Sequence, residues 1–420
     1  FDKKSKIGLE CLIYYLYGVS EKVEKDNTLS PDEYEELKKF FLEAKSVFNY
    51  DEKLYHAMSL LSFKSTNVEF RLKILKELID NDCSREKNLI LFEYIYNNNL
   101  RYNWSQKDFF NFSDKIKDKL PLINLPKIDK IKKKKIKIGF VSSNLAANHS
   151  VTYFIRELFN YRNKIFETHI FSDFDVKRED NTTNIIKTRV DFFHNISNKN
   201  NSELASFLRS IGIDVLIDMN GFVGKGRVEI FNSRVCTLQI SWLGYNNTIG
   251  LNHSDYLIAD KNLIFEKEKD LYQEKIIYLD EIWSSHSGLN IERKYNQLPS
   301  QISDTFTLGS FNNYSKISDD TVEVWSEILK KIDNSRLILK SSVTHSEIHF
   351  KELFEKEGVL NKVIFKTRSK NFADHINLYK DIDLCLDTFP YTGVTTTCEA
   401  LWMNVPVISL EGFNFNSRCG

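Results

Sequence analysis

The chain has 420 residues, 42% of them hydrophobic, enough for two or three domains with their own cores. Basic and acidic residues balance at 58 each, which argues against a protein that binds polyanions along its whole surface. No apolar run reaches the roughly 18 residues that span a bilayer, and the opening Phe1-Asp-Lys-Lys-Ser5 is not a signal peptide.

The first 125 residues read as an all-α region. Leu9–Tyr17, Tyr34–Leu42 and Phe70–Ile79 carry apolar residues at spacings of three and four, and Ser30-Pro-Asp-Glu33 has the form of a helix start. Paired helices of this kind could be degenerate helical repeats, but no period near 34 residues stands out. Residues 126–135 form a linker. Pro121 precedes it and Pro126 opens it, and its basic stretch Ile131-Lys-Lys-Lys-Lys135 reads as a solvated lead into a strand.

From residue 136 strands and helices alternate, which predicts parallel sheets with helices on both faces. The first unit, 136–300, has candidate strands at Ile136–Val141, Phe166–Phe171, Val215–Asp218, Leu238–Leu243, Tyr256–Ile258 and Lys275–Leu279. Its candidate helices are Ser150–Asn160 and Asn201–Ile211. The cycle restarts in a second unit, 301–420. Strands at Phe306–Phe311, Arg336–Lys340, Val363–Phe365, Leu384–Asp387 and Val405–Leu410 alternate with helices at Ser318–Lys331, His345–Glu357, Asn371–Lys380 and Thr395–Met403. Asn414–Gly420 reads as the lead into another helix. With no initiator Met at the start and an unfinished second sheet, we expect the native protein to extend past both ends. Two doubly wound units of this kind bind ligands beyond the C-terminal ends of their strands.

Four segments carry candidate chemistry. In Asp387-Thr-Phe-Pro-Tyr-Thr-Gly-Val-Thr-Thr-Thr-Cys-Glu-Ala-Leu-Trp402 a buried strand ends, a turn follows, and a helix opens on Thr395, Thr396 and Thr397. Free N–H groups and hydroxyls there suit a diphosphate, and Glu399, one turn further in, suits ribose hydroxyls. The alternative is a plain threonine cap with a surface Glu. Lys316, after the first strand of the second unit, can neutralise a leaving diphosphate. His149, at the end of a strand-to-helix loop, is either an acid–base or acceptor-positioning group or a helix cap. Ile213–Arg227 and Gln239–Tyr245 end in glycine-bearing turns that admit a ligand or simply turn tightly.

Cys11, Cys83, Cys236, Cys385, Cys398 and Cys419 form no Cys-x-x-Cys pair, so no zinc site or disulfide framework is indicated. That suits a reducing cytoplasm, the expected location. Asp173-Phe-Asp175 and Asp381-Ile-Asp383 have the Asp-x-Asp spacing of some metal sites, a spacing common by chance.

Taken in order, eight strings resemble the catalytic region of glycosyltransferase family 41: the O-GlcNAc transferases, SPINDLY proteins and bacterial adhesin N-glycosyltransferases. They are Val141-Ser-Ser with Asn148-His149, Asp218-Met-Asn-Gly221, Trp242-Leu-Gly-Tyr245, Tyr272 with Glu274-Lys275, Phe311-Asn-Asn with Lys316-Ile317, Cys385-Leu-Asp387, Thr395–Trp402, and Ser417-Arg418. The resemblance covers about residues 136–420 and implies a GT-B fold with an inverting, metal-independent transfer and no cofactor. It implies a nucleotide-sugar donor on the second unit, with Lys316 at the diphosphate, Thr395 and Thr396 at phosphate and Glu399 at ribose. It places His375 near the nucleobase, Asn313 near the donor and His149 in the active site. Ser150, Phe222 and Val394 depart from residues common in relatives and bear on sugar preference and acceptor chemistry.

The expected activity is transfer of GlcNAc from UDP-GlcNAc to Ser or Thr of protein or peptide acceptors, with no nucleic-acid partner and no membrane span. UDP-glucose, GDP-fucose or a non-protein acceptor are alternatives within the same chemistry. A non-catalytic protein-binding scaffold is the alternative of another class, and the intact Lys316, Thr395, Thr396 and Glu399 weigh against it.

Overall fold

The computed structural model describes residues 36, 38, 39, 42, 43, 68–80, 87–128, 134–146, 149–161, 163–224, 226–289, 291, 297–340, 347–367 and 369–420. The expected helix Leu9–Tyr17, most of Tyr34–Leu42, the Ser30 helix start, Cys11, Cys83 and Asn148 lie outside them.

The chain separates into two compact units. One comprises residues up to Tyr102, Arg293–Leu410 and Gly420; the other comprises Asn103–Glu292 and Glu411–Cys419. Helices α1 (Val68–Asp80) and α2 (Lys87–Asn98) belong to the first of these, and α3 (Gln106–Ile116) to the second. Within α1 the buried residues Leu72, Ile74, Leu75 and Leu78 follow the helical period. Ser105 and Asp108 close α3 with a reciprocal capping box.

The 103–292 unit is built on a seven-stranded parallel sheet. Its strands are β1 (Ile136–Ser142), β2 (Phe166–Ser172), β3 (Phe192–Asn195), β4 (Val215–Asp218), β5 (Leu238–Ser241), β6 (Tyr256–Asp260) and β7 (Lys275–Leu279), in the spatial order β3-β2-β1-β4-β5-β6-β7. The order reverses direction between β1 and β4, which opens a crevice at their C-terminal ends. Helices α4 (Ser150–Ile155), α5 (Asn181–Arg189), α6 (Asn201–Ile211) and α7 (Val228–Asn232) make the crossovers. Asp180 and Asn200 cap α5 and α6, and Gly212 ends α6 in the left-handed conformation at φ 74°. The expected helix at 150–160 is two pieces, α4 and a 3-10 turn at Leu158–Asn160. Glu411–Cys419 docks on this unit: the Phe415 ring lies 5.1 Å from that of Trp283, and Arg418 pairs with Glu268 at 2.6 Å. The expected lead into a helix at 414–420 is a single 3-10 turn, Phe415–Ser417, with its own capping box.

The other unit carries a five-stranded parallel sheet: β8 (Phe306–Ser310), β9 (Ser335–Lys340), β10 (Val363–Lys366), β11 (Leu384–Leu386) and β12 (Val407–Ile408), in the order β10-β9-β8-β11-β12. Its reversal falls between β8 and β11. Helices α8 (Pro299–Ser303), α9 (Asp319–Lys331), α10 (Glu347–Lys356), α11 (Phe372–Asn377) and α12 (Thr395–Trp402) accompany it. Ser318 caps α9 as expected. Leu308, Leu337, Leu339, Trp325, Phe350 and Phe354 interlock in the core between the sheet and α9 and α10. β12 begins only after Pro406, which has no N–H for the ladder although its carbonyl accepts from Cys385 N at 2.9 Å. Cys385 lies in the core on β11, where burial pushes its thiol up to about 12.

β3 stands at the edge of its sheet, where His194 meets His169 of β2 with Nε2 to Nδ1 at 3.1 Å; Glu167 holds the other His169 nitrogen at 2.9 Å. Burial, then the neighbouring His169, holds the His194 imidazole down at about 4 from its ordinary 6.5. As pH falls through 6.5 the unfolded chain therefore takes up this proton first. Its contribution to stability is complete above 6.5 and is lost progressively towards 4. Asp218, raised to about 6 by burial, acts in the opposite sense, so the informative quantity is a difference between proteins. The urea midpoint of His194→Phe should fall less between about pH 7 and pH 5 than that of the wild type. Parallel pH dependence in the two proteins would refute the assignment.

Candidate active site

The C-terminal edge of the five-stranded sheet collects most of the residues singled out from the sequence. β8 ends at Ser310 and the chain turns at once through a 3-10 turn, Tyr314–Lys316. Buried Tyr314 and Ile317 pin that turn into the core on either side of Lys316. Asn313 caps the turn by accepting from Ser315 N at 3.0 Å, and its side chain is exposed at the rim. Lys316 Nζ donates to Thr392 O at 3.1 Å and lies 4.1 Å from the centre of the Tyr391 ring. An ammonium held on a backbone carbonyl and an aromatic face is placed before any ligand arrives.

Across the reversal, β11 delivers Asp387. Its Oδ1 accepts from Thr388 N at 2.8 Å, Gly393 N at 2.7 Å and Asn312 Nδ2 at 3.2 Å, and its Oδ2 accepts from Ser409 Oγ at 2.7 Å. Asn312 Oδ1 in turn accepts from Thr396 Oγ1 at 2.7 Å. This network ties the end of β8, the end of β11 and the start of α12 into one piece. A Cβ on Gly393 would sit 2.6 Å from Thr396 Oγ1 and 2.7 Å from Thr397 Oγ1, so a larger residue here would have to push both hydroxyls aside.

The start of α12 has no side-chain cap. Its N-cap is Val394, so the plain threonine cap is not what forms; the Thr396 hydroxyl is spent on Asn312 instead. The first-turn N–H groups at Thr395, Thr396 and Thr397 have no partner within the helix. Together with the positive end of the helix dipole and Lys316, they give this edge the character of an anion site.

Glu399 is not a surface residue but buried, at 5% exposure. His375 Nε2 lies 3.2 Å and Tyr379 OH 3.3 Å from its Oε2, and Lys340 Nζ lies 2.8 Å from His375 Nδ1. The structure thus joins His375 to Glu399, two residues that the sequence left 24 positions apart. Three neighbours were given no role from the sequence: Asn312, quoted only within the Phe311-Asn-Asn string, and Lys340 and Tyr379, each of which had a signal. Lys340 is a lone charge ending an apolar parallel strand, and Tyr379 follows His375 by four residues, one helical turn.

His149 belongs to the other unit, beyond the C-terminal end of β1 at the β1–β4 reversal. It is the N-cap of α4, and its Nδ1 accepts from Val151 N at 3.4 Å. Burial lowers its pKa and favours the neutral ring. With Nδ1 accepting from Val151 N, the neutral ring carries its proton on Nε2. At the end of β4, Asp218 Oδ1 accepts from Asn220 N and Gly221 N at 2.9 and 3.0 Å. Asn220 then clamps Ser143 across the reversal, accepting from its N–H at 2.9 Å and donating to its Oγ at 2.8 Å. The glycine turns here admit close packing: a Cβ on Gly221 would lie 2.5 Å from that of Tyr245.

The Asp-x-Asp segments are engaged elsewhere. Asp173 makes a two-pronged pair with Arg227 at 2.7 and 2.9 Å, and Asp175 caps a turn on Lys177 N. Asp383 accepts from Thr307 N at 2.7 Å and Ser300 Oγ at 2.8 Å.

Comparison with known proteins gives the family. The profile of Glycosyl transferase family 41 matches residues 114–288 and 284–420. A Petunia hybrida protein described as a probable UDP-N-acetylglucosamine–peptide N-acetylglucosaminyltransferase SPINDLY is 29% identical over 284 residues, 66% of this chain and 30% of its own length. The protein of the same description from Eustoma exaltatum subsp. russellianum is 31% identical over 274 residues, 63% of this chain and 30% of its own length. The chain thus spans about 30% of the length of these curated relatives. Among solved structures, a Thermobaculum terrenum O-GlcNAc transferase with a Lys-to-Met substitution superposes with a TM-score of 0.75 at 20% identity. The match covers 98% of this chain and 84% of that one. It extends the GT-B fold to this protein. With both halves of the family's profile matched and both parallel sheets in place, this chain belongs to glycosyltransferase family 41.

Proposed function

We propose that the protein is an inverting, metal-independent glycosyltransferase that moves GlcNAc from UDP-GlcNAc to Ser or Thr of protein acceptors. The observation that carries this reading is the pairing of Lys316 with the uncapped start of α12 at the reversal of one parallel sheet. An acceptor hydroxyl attacks the anomeric carbon and gives up its proton to solvent while the bond to the β-phosphate oxygen breaks, and the charge that appears on the departing diphosphate falls on Lys316 and the Thr395–Thr397 N–H groups. Those groups supply the positive charge that a divalent cation supplies elsewhere. His375 and Glu399 take the nucleoside, Asn313 lies at the rim near the donor, and His149, with its proton on Nε2, orients the acceptor side. The donor and acceptor classes follow the relatives' descriptions.

Calorimetry with UDP, GDP and their sugars tests the donor, and transfer to a Ser/Thr peptide in EDTA tests the chemistry. We expect UDP to bind more tightly than GDP and transfer to persist in the chelator. Activity lost in EDTA and restored by Mn²⁺ would refute metal independence, and tighter binding of GDP would overturn the donor.

A further inference from the structure

We propose that Lys340 is a positioning residue of the nucleotide site, setting the tautomer and plane of the His375 ring and through it the orientation of the Glu399 carboxylate. This rests on the donor-site reading above.

Lys340 ends β9 and is buried, with only 9% exposure. A buried ammonium is costly unless it is hydrogen-bonded. Its Nζ meets His375 Nδ1 at 2.8 Å. An ammonium has three hydrogens and no lone pair, so Nδ1 must be the acceptor. The ring hydrogen is then on Nε2, the nitrogen 3.2 Å from Glu399 Oε2, and the imidazole donates to the carboxylate. Tyr379 OH reaches the same oxygen at 3.3 Å and packs its ring 4.7 Å from Phe311. Lys340 thus donates to His375 and His375 to Glu399, while Tyr379 donates to the same carboxylate from the other side, and Lys340 fixes the direction of the first two bonds. Without the ammonium, Nδ1 is free to hold the hydrogen. Nε2 would then turn a lone pair on the carboxylate, and the ring would have to rotate.

None of these groups bears the charge of the leaving diphosphate, which falls to Lys316 and the start of α12. Lys340 should therefore act on donor affinity and leave the chemical step nearly alone.

The test compares the full chain with Lys340→Met, Lys340→Arg and Lys340→Gln. Selective ¹⁵N-histidine labelling reads the ring tautomer, with the His375 signals identified by their loss in His375→Gln. Wild type should hold its ring proton on Nε2, and Lys340→Met should give a mixture. The same change should raise the UDP Kd and the donor KM by about tenfold, the loss of one charge-assisted hydrogen bond, with kcat within about threefold. Lys340→Arg, which still donates to Nδ1, should recover most of the affinity. If Lys340→Met does not fold, Lys340→Gln keeps an uncharged amide donor, one bond shorter than the lysine, and should give an affinity no higher than intermediate. An unchanged His375 tautomer and unchanged nucleotide affinity in Lys340→Met would overturn the assignment. Failure of the wild type to bind any nucleoside diphosphate would instead sink the donor-site reading, before any variant is compared.

Discussion

Replacing Lys316 with Met should lower kcat by about 100-fold or more, close to 3 kcal/mol of lost transition-state stabilisation. Donor binding should fall less, because charge on the β-phosphate grows as the anomeric bond breaks and the lysine acts most strongly on that change. The structure explains why one side chain can matter this much. Its turn is bolted down by Tyr314 and Ile317, and its ammonium rests on Thr392 O and the Tyr391 ring, so little reorganisation accompanies the reaction. Met keeps the apolar stem against Tyr391, and the melting temperature should change little. Steady-state kinetics at saturating donor checks this. A near-normal kcat would move leaving-group stabilisation to the Thr395–Thr397 helix start.

The second large effect is expected at Asp387. Removing its carboxylate strips the acceptor from Gly393 N, Thr388 N, Asn312 Nδ2 and Ser409 Oγ at once. Buried donors left unpaired cost about 1–3 kcal/mol each. Asp387→Ala should therefore lose at least about 3 kcal/mol of stability by urea denaturation. It should also weaken nucleotide binding, because the loop carrying Thr392 and Gly393 and the start of α12 lose their common anchor. Asp387→Asn keeps one carbonyl oxygen for Gly393 and Thr388, and the Ser409 hydroxyl can turn to accept from the new amide. Its loss should be nearer about 1 kcal/mol. If Ala were as stable as wild type, Asp387 would not be the anchor of this edge, and Asn312 would have to hold α12 by itself.

The sequence by itself determined the element types and the two doubly wound units, because strand and helix periods are local properties of the chain. Ile136–Val141, Asn201–Ile211 and Phe306–Phe311 were legible for that reason. Local rules also exposed Lys316 and the three threonines, since a strand end followed by a turn or a helix start is written in consecutive residues. The edge strand Phe192–Asn195 was not legible. It is four residues long and only partly covered, so it lacks a sustained apolar run. The docking of Glu411–Cys419 beside Trp283 and Glu268 was also invisible, because it joins segments more than a hundred residues apart.

The site divides along the same line. Glu399 and His375 were legible as separate residues, and the resemblance gave them a common nucleoside. Their hydrogen bond, the Lys340 ammonium behind them and the Asn312–Asp387 clamp were decided only by the order of the strands. Parallel strands send all their C-terminal ends to one edge, and the reversal between β8 and β11 sets which loops meet there. His149 illustrates the converse. The residue type allowed a base, a positioning group or a cap, and only the backbone around Val151 decided that its Nδ1 is spent on the cap. Sequence names the residues available for chemistry, whereas the fold decides which of their atoms are already committed, because each lone pair and each hydrogen can be used only once.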